Sequence, residues 1–296
     1  MSLPPITSPS PTPGADLPDT LPVATEAKER ALTAWLLARG SALLGFSGGV
    51  DSAYLACVAV DALGPDRFLG VIGRSASYPE EQWREARAVA DRFGIPVIEL
   101  DTDELADPSY AANPANRCYF CKSELWGRLV PVARERGFAA VLDGTNADDR
   151  GDYRPGAAAA TELDVESPLA IVGLTKEEIR ALSRRRGLSG WDRPASPCLS
   201  SRIPYGTAVT SERLRRIEAA ERAVRELGVT GDLRVRYHGE LARVELSRAE
   251  LERWLAPAES RRLHAAVRSA GFSRVAIDLA GFRSGSLNVL GGVTGG

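Results

Sequence analysis

The feature that most constrains the fold is a short apolar run, Ala42–Phe46, that ends in paired glycines and then a helical pattern. The junction reads Ser47-Gly48-Gly49-Val50-Asp51-Ser52, and the helix is expected to run from Asp51 to about Leu63. A strand that turns through glycine into a helix is the first half of a βαβ unit, and such units stack as a parallel sheet with helices on its faces. Further strand candidates are Phe68–Gly73, Pro96–Leu100 and Ala140–Leu142. Between Pro79 and Gly94, the residues Trp83, Ala86, Ala90 and Phe93 recur at helical spacing and are expected to face the sheet. Pro79 opens that helix where its missing N–H costs nothing, and Gly94 closes it. Thr175 followed by Glu178 is a capping box that starts another helix. The fold class is therefore α/β, a doubly wound, Rossmann-like parallel sheet.

After a proline-rich turn at Arg193–Tyr205 the pattern changes. A helix from Ser211 to Leu227 is expected, then strands at Leu233–His238 and Ala242–Leu246, a helix near Ala249–Ala270 and a strand at Val275–Leu279. This is a smaller C-terminal α+β domain. The expected organisation is a disordered leader over 1–24, a nucleotide-type domain over 25–205, the second domain over 206–290, and a glycine-rich tail over 291–296.

Composition excludes several functions. A formal net charge of −2 argues against a general nucleic-acid surface, which normally carries a basic excess. No stretch approaches the roughly 20 apolar residues that span a bilayer. The Pro/Ser/Thr-rich start lacks the basic and apolar segments of an export signal, so a cytoplasmic, reducing compartment is expected. Structural disulfides are then not expected of the four cysteines, which makes their spacing informative. Only Lys28, Lys122 and Lys176 are lysines among 37 basic residues, a bias that genome composition explains.

The loop Ser47–Ser52 is suited to phosphate. Adjacent glycines let the backbone approach an anion, and the helix that follows presents unpaired N–H groups and its positive dipole end. It lacks the Gly-Lys-Ser/Thr ending of a Walker-A loop. It resembles instead the SGGxDS loop of the PP-loop ATP pyrophosphatases, which grip the β,γ-pyrophosphate of ATP and expose its α-phosphate. The resemblance implies ATP contacts from Ser47, Gly48, Gly49, Asp51 and Ser52, with adenosine contacts from the next strand region, Val71–Ser75, Ser75 included. A polar cluster, Asp143–Asp149, follows what reads as the last strand; Gly144 and the acidic Asp148 within it suit a nucleotide with Mg²⁺.

Cys118 and Cys121 form a CxxC, and Cys198 lies in Ser196-Pro197-Cys198-Leu199-Ser200-Ser201-Arg202. Three thiols without a nearby histidine suit iron–sulfur chemistry better than a closed zinc site, with a dithiol redox pair as the rival. Cys57, among apolar neighbours in the loop's own helix, reads as a buried structural thiol.

Taken in order, the loop, Ser77–Glu81, Asn116–Lys122, Asp143–Asp149, Asp152–Gly156, Ser196–Gly206 and Gly281–Ser286 resemble the LarE family of ATP-dependent sulfur transferases, which act in nickel-pincer nucleotide synthesis. The resemblance spans roughly residues 25–290. It implies that ATP adenylates a carboxylate of a pyridinium dicarboxylate mononucleotide, and that sulfur then replaces AMP to leave a thiocarboxylate. Some members sacrifice the sulfur of the cysteine matching Cys198; others carry all three cysteines and bind a [4Fe–4S] cluster. This chain has the three-cysteine pattern. The resemblance also implies a substrate phosphate on Arg234 and Arg236, carboxylates such as Glu245 and Asp278 near a metal, a homo-oligomer, and other enzymes of the same cofactor pathway as partners.

Strand alternation alone places Arg234, Arg236 and His238 on one face of a sheet, with Arg243 and Glu245 beside them. The alternative is a one-sided sheet with its polar face in water. Three other functions compete for the whole chain. A PP-loop tRNA thiolase needs an RNA surface, an ammonia-using PP-loop synthetase needs no cysteines, and a nucleotide-binding or cluster-carrying module releases no pyrophosphate.

Overall fold

In the computed structural model, which describes residues 21–151, 155–193 and 197–283, alternation along the first strand sets the layers. In β1 (Ala42–Gly45), Ala42 and Leu44, with Phe46 just beyond, feed one apolar core, and Leu43 feeds another on the opposite face. The first core is covered by helices Val23–Arg39, Val50–Leu63, Glu80–Phe93 and Lys176–Arg185; the second by Arg117–Glu135 and Pro155–Glu162. Residues such as Leu36, Leu44 and Leu55 are fully buried. Each such side chain contributes roughly 1.5–3 kcal/mol, so the sheet is a firm base for the loops at its edge.

The other strands are β2 (Phe68–Arg74), β3 (Val97–Asp101), β4 (Ala140–Leu142) and β5 (Val165–Glu166), in the order β3-β2-β1-β4-β5, all parallel. β5, at two residues, is too short to show a period in sequence. Its presence corrects one expectation: β4 is not the last strand but the inner neighbour of β1. The chain leaves β1 toward β2 and β3 and returns to β4 on the other side. The loops after β1 and β4 therefore flank the switch point where open α/β sheets bind ligands.

A second sheet holds β6 (Leu233–His238), β7 (Leu241–Leu246) and β8 (Arg274–Ile277), with β7 central, antiparallel to β6 and parallel to β8. Val235 and Val244 pack with Leu214, Ile217 and Leu263 of helices Ser211–Glu226 and Pro257–Ser269 in a separate core. The polar face of β6 is not in water. Arg234 and Arg236 are 6 % and 5 % exposed, because the short turn Leu199–Arg202 packs over them.

Several boundaries differ from expectation for local reasons. The helix expected over Ala249–Ala270 is two helices, Arg248–Leu255 and Pro257–Ser269. Pro257 bars helical backbone at Ala256, which is extended at ψ 141°. Pro79 precedes its helix as the cap rather than opening its first turn. Val23 and Ala24 are helical rather than part of a leader. β8 ends at Ile277, so Asp278 lies just beyond the strand. Cys118 and Cys121 ride on the helix Arg117–Glu135, whose Gly127 and Pro131 conceal its period. Residues 1–20, 152–154, 194–196 and 284–296 lie outside the described residues, and with them most of the expected leader, the tail and parts of three motifs. No helix among the described residues is long and apolar enough to cross a membrane.

Candidate active site

The loop after β1 divides the work of its two glycines. Gly48 has φ +73°, and a Cβ there would stand 2.6 Å from that of Ala86, so the loop lies against helix Glu80–Phe93. Gly49, at φ −69°, has ordinary backbone and caps helix Val50–Leu63 without a side-chain bond. The Ser47 carbonyl accepts from Tyr78 Oη and Gln82 Nε2, both at 2.9 Å. Ser52 Oγ donates to the Gly49 carbonyl at 3.0 Å and lies 3.1 Å from Ser47 Oγ. Gly144, after β4, meets the same helix start; a Cβ would stand 3.1 Å from the Ser52 nitrogen. A cavity of about 480 Å³ opens over this junction, lined by Ser47, Gly49, Asp51, Ser52, Gly144 and Asp149 and closed on the far side by Cys118, Lys122 and Gly156.

The acidic groups of this cavity have different tasks. Asp143 bonds the N–H and hydroxyl of Thr145. Asp148, the metal candidate, accepts the Lys176 backbone N–H at 2.8 Å and so caps a helix, while its neighbour Asp149 lines the cavity. Asp51 Oδ2 faces Lys176 Nζ at 3.6 Å. Asp51 Oδ1 is buried and has no hydrogen-bond partner among the described residues. Burial pushes the Asp51 carboxyl above its ordinary range; Lys176 opposes that shift and Asp149 adds to it. An orphaned carboxylate oxygen next to a second acid fits a hard divalent cation such as Mg²⁺, which is commonly held by one or two carboxylates plus phosphate oxygens. Ser75, expected near adenosine, bonds Ser77 Oγ at 3.0 Å at the end of β2 and does not line this cavity.

The cysteines approach one another across the boundary between the two sheets. Cys118 is exposed at the cavity wall, whereas Cys121, one helical turn on, packs against the core of the second sheet. Cys198 precedes the turn Leu199–Arg202, which is stitched in place: Leu199 N–H donates to the Ser77 carbonyl at 2.8 Å, and Arg202 Nη1 donates to the Cys198 carbonyl at 3.0 Å. Burial, and then the Cys198, Glu104 and Cys118 groups, push the Cys121 thiol up to about 12. Cys198 and Cys118 thus both oppose the ionisation of Cys121. Among the described residues no three His, Cys, Asp or Glu side chains stand in metal-holding geometry. The donors have the soft chemistry of a cluster site, but they are not assembled as one here. Cys57 is 2 % exposed, its thiol pushed to about 12 by burial, as a structural cysteine should be.

On the other side of the loop, a second cavity of about 460 Å³ is lined by Gln82, Arg193, Arg202, Glu221, Arg225 and Arg234. Burial lowers the Arg234 guanidinium to about 10, and Arg202 adds to the effect. Two guanidiniums, Arg202 and Arg234, line this one cavity, an arrangement that suits an anion. Phe282 lies against Arg234 at 5.1 Å. Arg236 is committed differently: it donates to Ser201 O at 3.0 Å and pairs with the buried Glu245 at 2.9 Å. Glu245 also holds Arg243 at 2.9 Å, and Arg243 reaches Asp278 at 3.7 Å. Glu245 and Asp278, both metal candidates, therefore stand in a ladder of ion pairs.

Sequence reasoning gave no role to Lys122, Lys176 or Glu221, and within the acidic cluster it singled out Asp148 rather than Asp149. Glu221 takes Arg202 in both oxygens and the Val235 N–H. One signal was available for the lysines: in a chain that otherwise uses arginine, two of the three flank the glycine loop.

A five-stranded parallel sheet whose first strand enters an SGGxDS loop at the switch point defines the PP-loop class of nucleotide-binding α/β proteins. Consistently, the NAD synthase family model matches residues 36–128. A glutamine-dependent NAD(+) synthetase of Aquifex aeolicus is 45 % identical, but over 21 % of this chain and 11 % of its own. Two relatives match nearly throughout. An uncharacterized protein of Synechocystis is 44 % identical over 83 % of this chain and 91 % of its own. The pyridinium-3,5-bisthiocarboxylic acid mononucleotide synthase of Lactiplantibacillus plantarum is 36 % identical over 88 % of this chain and 94 % of its own. This chain belongs to the family of that synthase, the LarE family.

Proposed function

We propose that this chain is an ATP-dependent sulfur transferase that converts a carboxylate of a pyridinium dicarboxylate mononucleotide to a thiocarboxylate. The observation that carries the reading is the shared cavity, lined by the phosphate loop and by Cys118, together with the electrostatic coupling of Cys121 to Cys118 and Cys198. The name of the L. plantarum relative supports the substrate. In this reading residues 25–205 bind ATP and residues 206–290 present the nucleotide substrate.

A carboxylate resists a sulfur nucleophile because its oxygen is a poor leaving group. In the first step that oxygen attacks the α-phosphorus of ATP, and the α–β phosphoanhydride bond breaks to release pyrophosphate. The amides around Gly48 and Gly49, the hydroxyls of Ser47 and Ser52, and Lys122 stabilise the charge that develops there. Asp51 and Asp149 would hold Mg²⁺, which neutralises the phosphates. Arg234 and Arg202 take the substrate phosphate in the second cavity, a role that paired guanidiniums suit. Arg236, Glu245 and Asp278 keep that wall rigid. In the second step sulfur attacks the acyl carbon, the new C–S bond forms, and the C–O bond to AMP breaks.

Cys198 either gives up its own sulfur or anchors the carrier of it. If it acts alone, its Cβ–S bond then breaks with loss of the Cα proton, leaving dehydroalanine and the thiocarboxylate. A [4Fe–4S] cluster would be held by Cys118, Cys121 and Cys198 and would supply iron able to carry sulfide.

The test is Cys198→Ala in a coupled pyrophosphate assay with ATP, Mg²⁺ and pyridinium-3,5-dicarboxylic acid mononucleotide. Pyrophosphate release should persist while thiocarboxylate disappears; loss of both would show that Cys198 serves adenylation. An iron count after anaerobic purification distinguishes the cluster route from the sacrificial one.

A further inference from the structure

Arg117 opens the helix that carries Cys118 and Cys121, and neither chemical step uses it. It is buried, at 4 % exposure. Its Nη1 donates to Asn113 Oδ1 and, at 3.2 Å, to the Ser200 carbonyl, and the Tyr205 ring lies 5.9 Å from the guanidinium. These partners are all neutral, and no carboxylate pairs with Arg117 among the described residues. The mounting is fixed. Asn113 holds left-handed backbone at φ +57°, which asparagine tolerates better than most residues. Its Nδ2 is committed to the carbonyls of Pro204 and Thr207 at 2.8 and 3.0 Å, which leaves Oδ1 for the arginine. The guanidinium is thereby tied to the segment that follows Cys198, and Cys118 is its neighbour in the chain.

A buried cation without a counter-ion is costly, so such a charge is normally answered by an anion close by. Burial opposes the charge of Arg117; Cys198 and then Cys118 are the groups that most favour it. We propose that Arg117 is the fixed counter-charge of the sulfur site: its guanidinium answers negative charge at the sulfurs of Cys118 and Cys198 and makes the space beside them a subsite for a small anion, of the chemical class of sulfide or thiocarboxylate. A guanidinium suits this task because it keeps its proton when buried, whereas a lysine readily sheds one. The inference rests on the reading of these cysteines as one sulfur site, but its test needs no turnover.

Alkylation of Cys198 by a charged and a neutral reagent provides that test. Iodoacetate and iodoacetamide both bond the thiolate sulfur to carbon and release iodide, so their rate ratio cancels the thiol's own ionisation and reports the field at the sulfur. The rates at each cysteine are read by peptide mass spectrometry on native wild type, on wild type unfolded in urea, and on native Arg117→Gln and Arg117→Lys. The iodoacetate-to-iodoacetamide ratio at Cys198 should be at least about fivefold higher in the native than in the unfolded protein, the size of one unit charge a few ångström away in a water-like medium. Arg117→Gln should bring the ratio down to the unfolded value, and Arg117→Lys should keep part of it. A native wild-type ratio equal to the unfolded one overturns the proposal, and that comparison needs no variant to fold. So does an Arg117→Gln protein in which both reagents speed up alike, because the arginine then only packs. A raised ratio that Arg117→Gln abolishes, with no thiocarboxylate formed in a turnover assay, would sink the sulfur-transfer reading and leave this one standing.

Discussion

Replacing each loop glycine by alanine should separate folding from binding. Gly48 has φ +73°, where an L residue costs about 1–2 kcal/mol. Its new methyl would also meet Ala86 Cβ at 2.6 Å and Cα at 2.9 Å. Helix Glu80–Phe93 cannot retreat, because Ala86 and Ala90 are 0 % and 1 % exposed against the sheet. Overpacking of this kind adds about 1–3 kcal/mol. Gly48→Ala should therefore lose about 2–5 kcal/mol, a fall in melting temperature of roughly 3–8 °C for a chain of this size. Gly49 is the control. Its φ is −69° and the nearest atom to a new Cβ is Ser47 Oγ at 3.5 Å, so Gly49→Ala should melt within about 2 °C of wild type. That methyl would instead occupy space an oxyanion needs beside the helix start, and ATP affinity should fall at least about tenfold, or about 1.4 kcal/mol. Differential scanning calorimetry and isothermal titration with ATP read the two quantities separately. If Gly48→Ala melts like wild type, or Gly49→Ala binds ATP normally, the division of labour within the loop is wrong.

Two further substitutions probe the walls of the site. Folding raises the Asp51 pKa, so its ionisation costs stability as pH rises through the folded value. Asp51→Asn should melt no lower than wild type at neutral pH, and wild type should gain relative to it as pH falls through the carboxylate range. Pyrophosphate release by the variant should drop at least about a hundredfold, in line with the loss of an electrostatic group at developing charge. Arg236→Met leaves the 1 %-exposed Glu245 with only part of its charge answered. Breaking a buried pair costs about 3–5 kcal/mol, and the surviving Arg243 contact should keep the loss near the lower end, measurable by urea denaturation. An equally stable Arg236→Met protein would mean that the ladder is ornamental.

The sheet was legible because its strands are bounded by glycines and prolines and its helices carry capping chemistry. Ala140–Leu142 and Leu233–His238 agree with expectation residue for residue. β5 was not legible, since two residues carry no period, and without it the loop Asp143–Asp149 seemed to follow the last strand of the sheet. The six residues Ser47–Ser52 announced the anion site, because only backbone chemistry was needed to read them. Side-chain duties were harder. Asp148 and Asp149 are indistinguishable in sequence, and only the fold turns one toward a helix end and the other toward the cavity. Arg234 and Arg236 share a face by alternation, but the turn that buries them arrives from some thirty residues upstream. Long-range packing of that kind leaves no trace in local pattern.

The central claim is that adenylation and sulfur delivery meet on one carboxylate. The direct measurement is mass spectrometry of a single-turnover mixture of the wild-type protein, Mg²⁺–ATP and pyridinium-3,5-dicarboxylic acid mononucleotide under anaerobic conditions. The account predicts a product in which one carboxylate oxygen has become sulfur, matched one for one by AMP and pyrophosphate. AMP and pyrophosphate with the mononucleotide recovered unchanged, or with nitrogen in place of oxygen, would contradict it.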